Sequence, residues 1–595
     1  MIKLSDYIAS RLADWGVRHI FLVTGGGAMH LNDSFGKESR IQYICMHHEQ
    51  AAAMAAEGYA RITNTPGVIN VTTGPGGINS LNGVFGAYTD SIPMLVVSGQ
   101  VKRETVKTLR GLEHLRQLGD QEVDIVSMVR GITKYAVLID DPKSIRYHLE
   151  KAFHLASSGR PGPCWIDVPV DVQGTMIDET ALKGYDPAED DLNFDPATVR
   201  TAAAEILRRI ASAKSPVILA GTGVRLADAL PEFHELIRKL KIPVTTAWTH
   251  DLITYDDPLF CGRPGTIGER AGNFTVQNSD LLLVLGSRLN IRQISYNWAA
   301  FAPKAFKIQV DVDSAEFEKP TIRPDMPVHC DLKLLLREMI SQIAYAPAGE
   351  HSRWLAWCRE RVQKYPVVQD KQRKPGPPLN PYHFVKLLEQ CLEDEDVVVC
   401  ANATACIVPF QALHLHGKQR LFSNSGSASM GYDLPAAIGA CVAKNNRVIC
   451  LAGDGSIQMN IQELQTIVNY QLPVKIFVLN NDGYLSMRLT QSNFFGRLIG
   501  ESKASGVSFP DMEKIGAAYG IPTMRFDRAE QLDKVRVAIS KPGPMIVNVV
   551  LDPEQGFEPR LKSKQLEDGT IVTPALEDMF PFLSAEELEA NRYSK

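Results

Sequence analysis

Arg447-Val-Ile-Cys-Leu-Ala-Gly453-Asp454-Gly455-Ser456 reads as a buried strand that breaks on a Gly-Asp-Gly turn, and Val474-Lys-Ile-Phe-Val-Leu-Asn480-Asn481-Asp482-Gly483 repeats the pattern about 27 residues later. The helix-like segment Ile461 to Tyr470 lies between them and completes a βαβ unit. Its polar residues fall at the carboxyl ends of neighbouring strands, where open α/β sheets bind ligands. Mg²⁺ demands near-octahedral oxygen ligands. The Asp454 carboxylate, the Asn481 side-chain carbonyl and a backbone carbonyl at Gly483 supply three, leaving places for phosphate oxygens and water. Gly455 lets the backbone approach a diphosphate, and Ser456 stands before a helix end that favours negative charge. Either turn alone is a common structural device. Their joint placement on one βαβ unit is what points to a metal-bridged diphosphate.

The same alternation of strand-like runs and helix-length amphipathic segments extends through all 595 residues and predicts an α/β protein. At 65.7 kDa the chain is long enough for about three to four domains. Two stretches divide it, Gly174 to Thr198, rich in Asp and Pro, and Tyr345 to Pro381, which ends in the linker-like Lys-Pro-Gly-Pro-Pro-Leu-Asn-Pro. The expected units are three doubly wound parallel-sheet domains at residues 1–175, 195–345 and 378–552, with a polar tail at 553–595. Strands are expected near His19–Thr24, Ile41–Met46, Gly67–Thr73 and Met94–Ser98 in the first unit, and near Val217–Ala220, Leu281–Leu285 and Lys307–Val312 in the second. The third has them near Val397–Cys400, Val448–Ala452, Lys475–Leu479 and Met545–Val550.

An apolar fraction of 45% and a charged fraction of 22% describe an ordinary folded protein. The net charge of −5 leaves no basic excess for a long nucleic-acid contact. No apolar run is long enough to span a bilayer and the first residues lack a signal-peptide core, so a cytoplasmic location and no membrane partner are expected. The ten cysteines form no Cys-x-x-Cys pair or Cys/His cluster and read as free thiols.

In the first unit Glu49 opens the Ala-rich helix Ala51-Ala-Ala-Met-Ala-Ala-Glu-Gly-Tyr-Ala-Arg61 after a strand. A carboxylate there serves the helix dipole for about 0.3–1 kcal/mol, or serves chemistry. The Gly-Asp-Gly and Asn-Asn pair resembles the fingerprint of thiamine diphosphate enzymes. That resemblance implies that Glu49 hydrogen-bonds the cofactor pyrimidine and promotes its imino tautomer, which makes it the residue most needed for catalysis. It also implies that Met430, in Gly426-Ser-Ala-Ser-Met-Gly-Tyr-Asp-Leu-Pro, wedges between the two cofactor rings and that backbone groups of Ala428 and Met430 meet the pyrimidine. Asn402 and Thr404 would touch the diphosphate. Gly26, Gly27, Pro75 and Asn79 of the first unit would complete the cofactor contacts.

Over nearly the whole chain the likeness is greatest to the acetohydroxyacid synthase branch, through Thr72-Thr-Gly-Pro-Gly-Gly-Ile-Asn79, Ala87-Tyr-Thr-Asp-Ser-Ile-Pro93, Gln121-Glu-Val-Asp and Gly159-Arg-Pro-Gly-Pro163. It implies that Gln121 faces the thiazolium. In the central unit Gly221 and Gly223 follow one strand, Arg288 another and Asp311 ends a third, as in nucleotide-binding domains. These, with Gly265-Thr-Ile-Gly268, are similar to the flavin-contacting segments of that branch and imply FAD. Against the branch pattern Asp120 replaces a phenylalanine, Thr490 a tryptophan, Thr266 a methionine and Val170 a lysine. Arg116-Gln-Leu-Gly-Asp-Gln-Glu122 and Glu577-Asp-Met-Phe-Pro-Phe-Leu583 look more like synthase relatives that modify keto sugars.

The expected activity is thiamine diphosphate- and Mg²⁺-dependent decarboxylation of a 2-keto acid, pyruvate, with ligation of the two-carbon unit to a second carbonyl compound. The alternatives are a flavin-linked oxidase or simple decarboxylase, and a catalytically silent regulatory paralogue. The partners expected are the small-molecule donor and acceptor and further copies of the chain, as a dimer or tetramer.

Overall fold

The computed structural model describes residues 1–112, 114–248, 250–345, 349–565 and 568–593. Three parallel sheets carry the fold. The first has six strands, β1 (His19–Leu22), β2 (Gln42–Cys45), β3 (Gly67–Val71), β4 (Met94–Gln100), β5 (Tyr135–Leu138) and β6 (Pro163–Pro169), in spatial order β2-β1-β3-β4-β6-β5. The second has five, β7 (Pro216–Ala220), β8 (Val244–Thr246), β9 (Leu281–Leu285), β10 (Phe306–Asp311) and β11 (Met326–His329), in the order β8-β7-β9-β10-β11. The third comprises β12 (Val397–Cys400), β13 (Arg420–Phe422), β14 (Val448–Gly453), β15 (Val474–Asn480), β16 (Thr523–Phe526) and β17 (Met545–Val550). Its order, β13-β12-β14-β15-β17-β16, repeats that of the first sheet. The expectation of three doubly wound α/β units is borne out.

In the three parallel sheets six strands lie outside those expected, and five of them, β5, β8, β11, β13 and β16, are sheet edges. An edge strand is covered on fewer sides, so its sequence needs no continuous apolar run. The sixth, β6, is interior and fully buried, but Asp167 interrupts its apolar pattern. Ser98 Oγ donates to Asp167 Oδ1 at 2.6 Å and Gln100 Nε2 to Oδ2 at 2.9 Å, which lets a carboxyl sit inside a sheet. Burial pushes that carboxyl up to about 7.

The first and third units share one core, between helix α1 (Glu49–Thr63) and helix α3 (Asp433–Lys444), with α2 (Pro75–Thr89) beside α1. Alanines line both faces, Ala52, Ala55 and Ala56 on α1 and Ala436, Ala437 and Ala440 on α3. The backbones approach so closely that a Cβ on Gly439 would overlap the Ala55 carbonyl. Backbone cannot yield as a flexible side chain can, so Gly439→Ala is expected to cost at least the ~1–3 kcal/mol of ordinary overpacking. A thermal unfolding scan checks this; an unchanged midpoint would mean that the two helices do not set the spacing of the units.

The tail folds back onto the central unit. Asn273 Nδ2 donates to the Leu576 carbonyl at 2.9 Å, Gln277 Nε2 to Glu577 Oε2 at 2.6 Å, and Arg270 to the carbonyls of Met579 and Pro581. The Glu577–Leu583 motif therefore has a packing role on the helix Arg270–Gln277. Among the described residues no helix is long and apolar enough to cross a membrane. All ten cysteines are free, eight of them buried.

Candidate active site

Both six-stranded sheets present their candidate residues at their carboxyl edges, as the doubly wound topology requires. On the third sheet Asp454 follows β14 and Asn481 follows β15. Asp454 is buried, and its two carboxylate oxygens accept from Gly455 N at 2.9 Å and Gly483 N at 3.1 Å, bridging the ends of both strands. Burial raises the carboxyl to about 6. Asn481 donates from Nδ2 to Thr404 Oγ1 at 3.1 Å, which turns Oδ1 the other way. That oxygen is buried without a partner. A buried orphan acceptor costs about 1–3 kcal/mol unless something binds it. The Gly483 carbonyl accepts from Leu485 N at 3.1 Å and keeps a second lone pair. Among the described residues no group of three His, Cys, Asp or Glu is placed to hold a metal. The available donors are the mixed oxygen set, which suits a hard cation. Gly455 is required by contact, since a Cβ there would overlap the Tyr484 ring.

The sequence reading placed Ser456 on the diphosphate; here its hydroxyl donates to Asp433 Oδ2 at 2.6 Å and accepts from Gly431 N at 2.9 Å. It ties the loop after β14 to the segment 424–433. Asn402 Nδ2 reaches the Ala428 carbonyl at 3.2 Å, and Asn460 Nδ2 the Gly431 carbonyl at 2.7 Å. Met430, between these anchors, is half-buried. Ala403, Ala428 and Asp482 all take positive φ, +46°, +54° and +53°. Such conformations cost about 1–3 kcal/mol each and gather where surrounding structure enforces them. Asp433 and Asn460 were passed over in the sequence, where a lone Asp or Asn near a helix start carries no distinguishing signal.

On the first sheet Glu49 opens α1, with the His48 side chain as its cap, accepting from Gln50 N at 3.0 Å. Glu49 is 9% exposed. Its Oε2 accepts from Asn79 Nδ2 on α2 at 3.0 Å, leaving Oε1 for a ligand. Pro75 is the first residue of α2. Gly26 and Gly27 lie in the turn after β1, where Gly27 N donates to Thr72 Oγ1 at 3.1 Å. Gln121 is exposed and stands at φ +62°. Glu49, Asn79, Gly26, Gly27, Pro75 and Gln121 thus gather on one edge. The first and third units also join directly, His47 N donating to the buried Glu463 Oε1 at 3.1 Å and Ser429 Oγ to Asn82 Oδ1 at 2.8 Å.

A cavity of about 400 Å³ lies where all three units meet. Gly221, Gly223, Arg288 and Asp311 line it from the central unit, and Arg61, Asp90 and Arg160 from the first. Burial raises the Asp311 carboxyl to about 6. The N–H groups of Gly221 and Gly223 are taken by the Leu285 and Gly286 carbonyls, so these glycines join two strand ends rather than offering donors. Gly265 and Gly268 do not line the cavity. Gly265 N donates to the buried Asn273 at 2.8 Å and Gly268 N to the Gly265 carbonyl at 3.1 Å, which makes them parts of a packed turn. Buried ion pairs wall the cavity: Arg61 to Glu57 at 2.6 Å and Asp90 at 2.7 Å, Asp251 to Arg420 at 2.7 Å and Arg225 at 3.0 Å.

Three family models match in the order of the three sheets. They are the thiamine pyrophosphate enzyme N-terminal TPP binding domain at residues 2–128, the central domain at 203–339 and the C-terminal TPP binding domain at 403–549. The acetolactate synthase isozyme 1 large subunit of Escherichia coli (strain K12) is 31% identical over 566 residues, 93% of this chain and 95% of that one. The acetolactate synthase large subunit of Cyanidium caldarium is 33% identical over 564 residues, covering 92% of both chains. A probable acetolactate synthase large subunit of Methanocaldococcus jannaschii is 32% identical over 569 residues, 93% of both. With Glu49 and the Asp454–Asn481 pair each at the carboxyl edge of its matched domain, the chain belongs to the thiamine pyrophosphate enzymes, as a relative of the acetolactate synthase large subunits.

Proposed function

We propose that this protein is a thiamine diphosphate- and Mg²⁺-dependent carboligase that decarboxylates pyruvate and joins the two-carbon unit to a second carbonyl compound. The observation that carries the reading is the orphaned Asn481 Oδ1 beside the Asp454 carboxylate, on a chain related over nine-tenths of its length to acetolactate synthases. Asp454, Asn481 and the Gly483 carbonyl would hold Mg²⁺, with the diphosphate reached from the Thr404 and Gly455 side. Bound thiamine diphosphate supplies the electron sink for decarboxylation. The protein's part is proton control and orientation. Glu49, its Oε2 held by Asn79, keeps Oε1 for a proton at the pyrimidine edge. Met430 sets the shape of the cofactor bed, and Gln121 stands on the acceptor side.

FAD would be held in the three-unit cavity, whose lining includes Asp311, Arg288 and Arg160. The purified protein is expected to be yellow, to release flavin on denaturation, and to work without an added electron acceptor. A colourless, fully active protein would remove FAD, and dependence on oxygen or quinone would favour the oxidase alternative. A homodimer or tetramer is also proposed, each cofactor being held by two chains. In support, α2 leaves Ile78, Phe85 and Tyr88 each 41% exposed, an apolar side that a second copy would cover.

For the acceptor we propose a polar ketone or aldehyde such as a keto sugar. Asp120 and Thr490, at the places of the phenylalanine and tryptophan of the synthase pattern, are both exposed. Open to solvent, they favour a polar acceptor by offering it hydrogen bonds, not through the ~10⁴ penalty that buried polar groups left unpaired can impose. Incubating the holoenzyme with pyruvate and either a nucleotide-linked 4-keto sugar or further pyruvate, with products identified by mass spectrometry, tests this. Higher kcat/KM for the keto sugar is expected; a clear preference for pyruvate would make acetolactate the product.

A further inference from the structure

Gln121 enters the site with a left-handed backbone, φ +62°, and its carbonyl oxygen occupies the space that a Cβ on Gly74 would need. The segment before it offers little packing to enforce this. Residues 103–122 contain only the short turns Arg103–Thr105 and Thr108–Arg110 among their described elements, and Leu109, Leu112, Leu115 and Leu118 are 38–45% exposed. Lys107 Nζ donates to the Leu115 carbonyl at 2.8 Å, and the neighbour of Gln121 gathers the segment further. Glu122 is 7% exposed, and its carboxylate accepts three backbone N–H groups, from Lys107 at 2.5 Å through Oε1, and from Leu118 at 2.7 Å and Gly119 at 3.0 Å through Oε2. Gln117 Nε2 donates to the Glu122 carbonyl at 3.1 Å.

The next residue is anchored from the sheet. Gln100 Nε2 donates to the Val123 carbonyl at 2.9 Å, while Gln100 Oε1 accepts from Thr73 Oγ1 at 2.8 Å. Thr73 precedes Gly74, the residue against which the Gln121 carbonyl rests. Gln121 is therefore gripped between a carboxylate that gathers three loop amides and a carboxamide tied to the cofactor-side turn.

We propose that Glu122 is a positioning residue for carboligation: by gathering the amides of Lys107, Leu118 and Gly119 it aims Gln121 at the acceptor. This rests on the reading of Gln121 given above. Charge-assisted hydrogen bonds to a buried carboxylate are among the stronger ones, so their loss reaches the geometry of the adjoining residue.

The test uses holoenzyme carrying Glu122→Ala, Glu122→Gln or Gln121→Ala. It measures the ratio of carboligation product to free aldehyde released from pyruvate, thiamine diphosphate affinity by titration, and hydrogen exchange at the amides of Lys107, Leu118 and Gly119. In Glu122→Ala the ratio is expected to fall by about tenfold, about 1.4 kcal/mol, with cofactor affinity unchanged and the three amides deprotected. Glu122→Gln, which keeps one acceptor oxygen at the same reach, should recover part of the ratio. A changed ratio in Gln121→Ala with a wild-type ratio in Glu122→Ala would overturn the role of Glu122 alone. A wild-type ratio in Gln121→Ala would overturn the reading of Gln121 and this proposal with it. Parallel loss of product, aldehyde and cofactor affinity in Glu122→Ala would reduce Glu122 to a folding role and overturn the proposal as well.

Discussion

Replacing Glu49 by alanine is expected to lower turnover by at least the ~10²–10⁴ typical of a lost acid–base partner, with the fold intact. The side chain is buried at the first position of α1 and makes one hydrogen bond, to Asn79 at 3.0 Å. The helix keeps its His48 cap and its alanine-lined packing without it. Removal of the carboxylate therefore touches proton control far more than structure. Steady-state turnover read beside thiamine diphosphate affinity separates the two, because the diphosphate site proposed above lies on the other sheet. Near-normal turnover in the variant would reduce Glu49 to a helix-dipole residue worth a few tenths of a kcal/mol to about 1.

Asp454→Ala should abolish Mg²⁺-dependent retention of the cofactor. Its carboxylate joins the ends of β14 and β15 through Gly455 N and Gly483 N, and it is the charged member of a donor set whose other side chain is Asn481. Without it a dianionic diphosphate would face neutral donors only, and the two N–H groups would lose their acceptor. Titration of thiamine diphosphate with and without Mg²⁺ reads the effect directly. Affinity that stays metal-dependent and unchanged would place the metal elsewhere.

Much of this was legible in the chain itself, for a physical reason that differs from residue to residue. Interior strands such as β9 and β14 are buried on both faces and must be written as apolar runs. Edge strands such as β13 and β16 carry no such obligation and went unread. Gly-Asp-Gly and Asn-Asn were visible because turns that close tightly at neighbouring strand ends, with Gly455 against the Tyr484 ring, tolerate few residue types. Asp433, Asn460 and Glu122 were silent as site residues: Asp433 accepts from the Ser456 hydroxyl and Asn460 donates to the Gly431 carbonyl, both well separated in sequence, while Glu122 gathers the loop amides of Lys107, Leu118 and Gly119, and no local pattern marks a hydrogen bond to a residue not yet placed. The glycines Gly265 and Gly268 were read from their likeness to flavin-contacting segments; in the structure they close a packed turn, since a glycine motif shows where backbone comes close but not to what.

Periodicity and motif spacing by themselves determined the α/β class, the three units and the pairing of Asp454 with Asn481, because these depend on neighbours within one βαβ unit. Only the tertiary structure decided that α1 and α3 share a backbone-close core, that the tail motif packs on the central unit, and that a cavity opens where three units meet. The direction of Asn481 Oδ1 was decided there too. It is left without a protein partner because Thr404, 77 residues away, takes the other end of the carboxamide, and a contact at that separation exists only once the chain has folded.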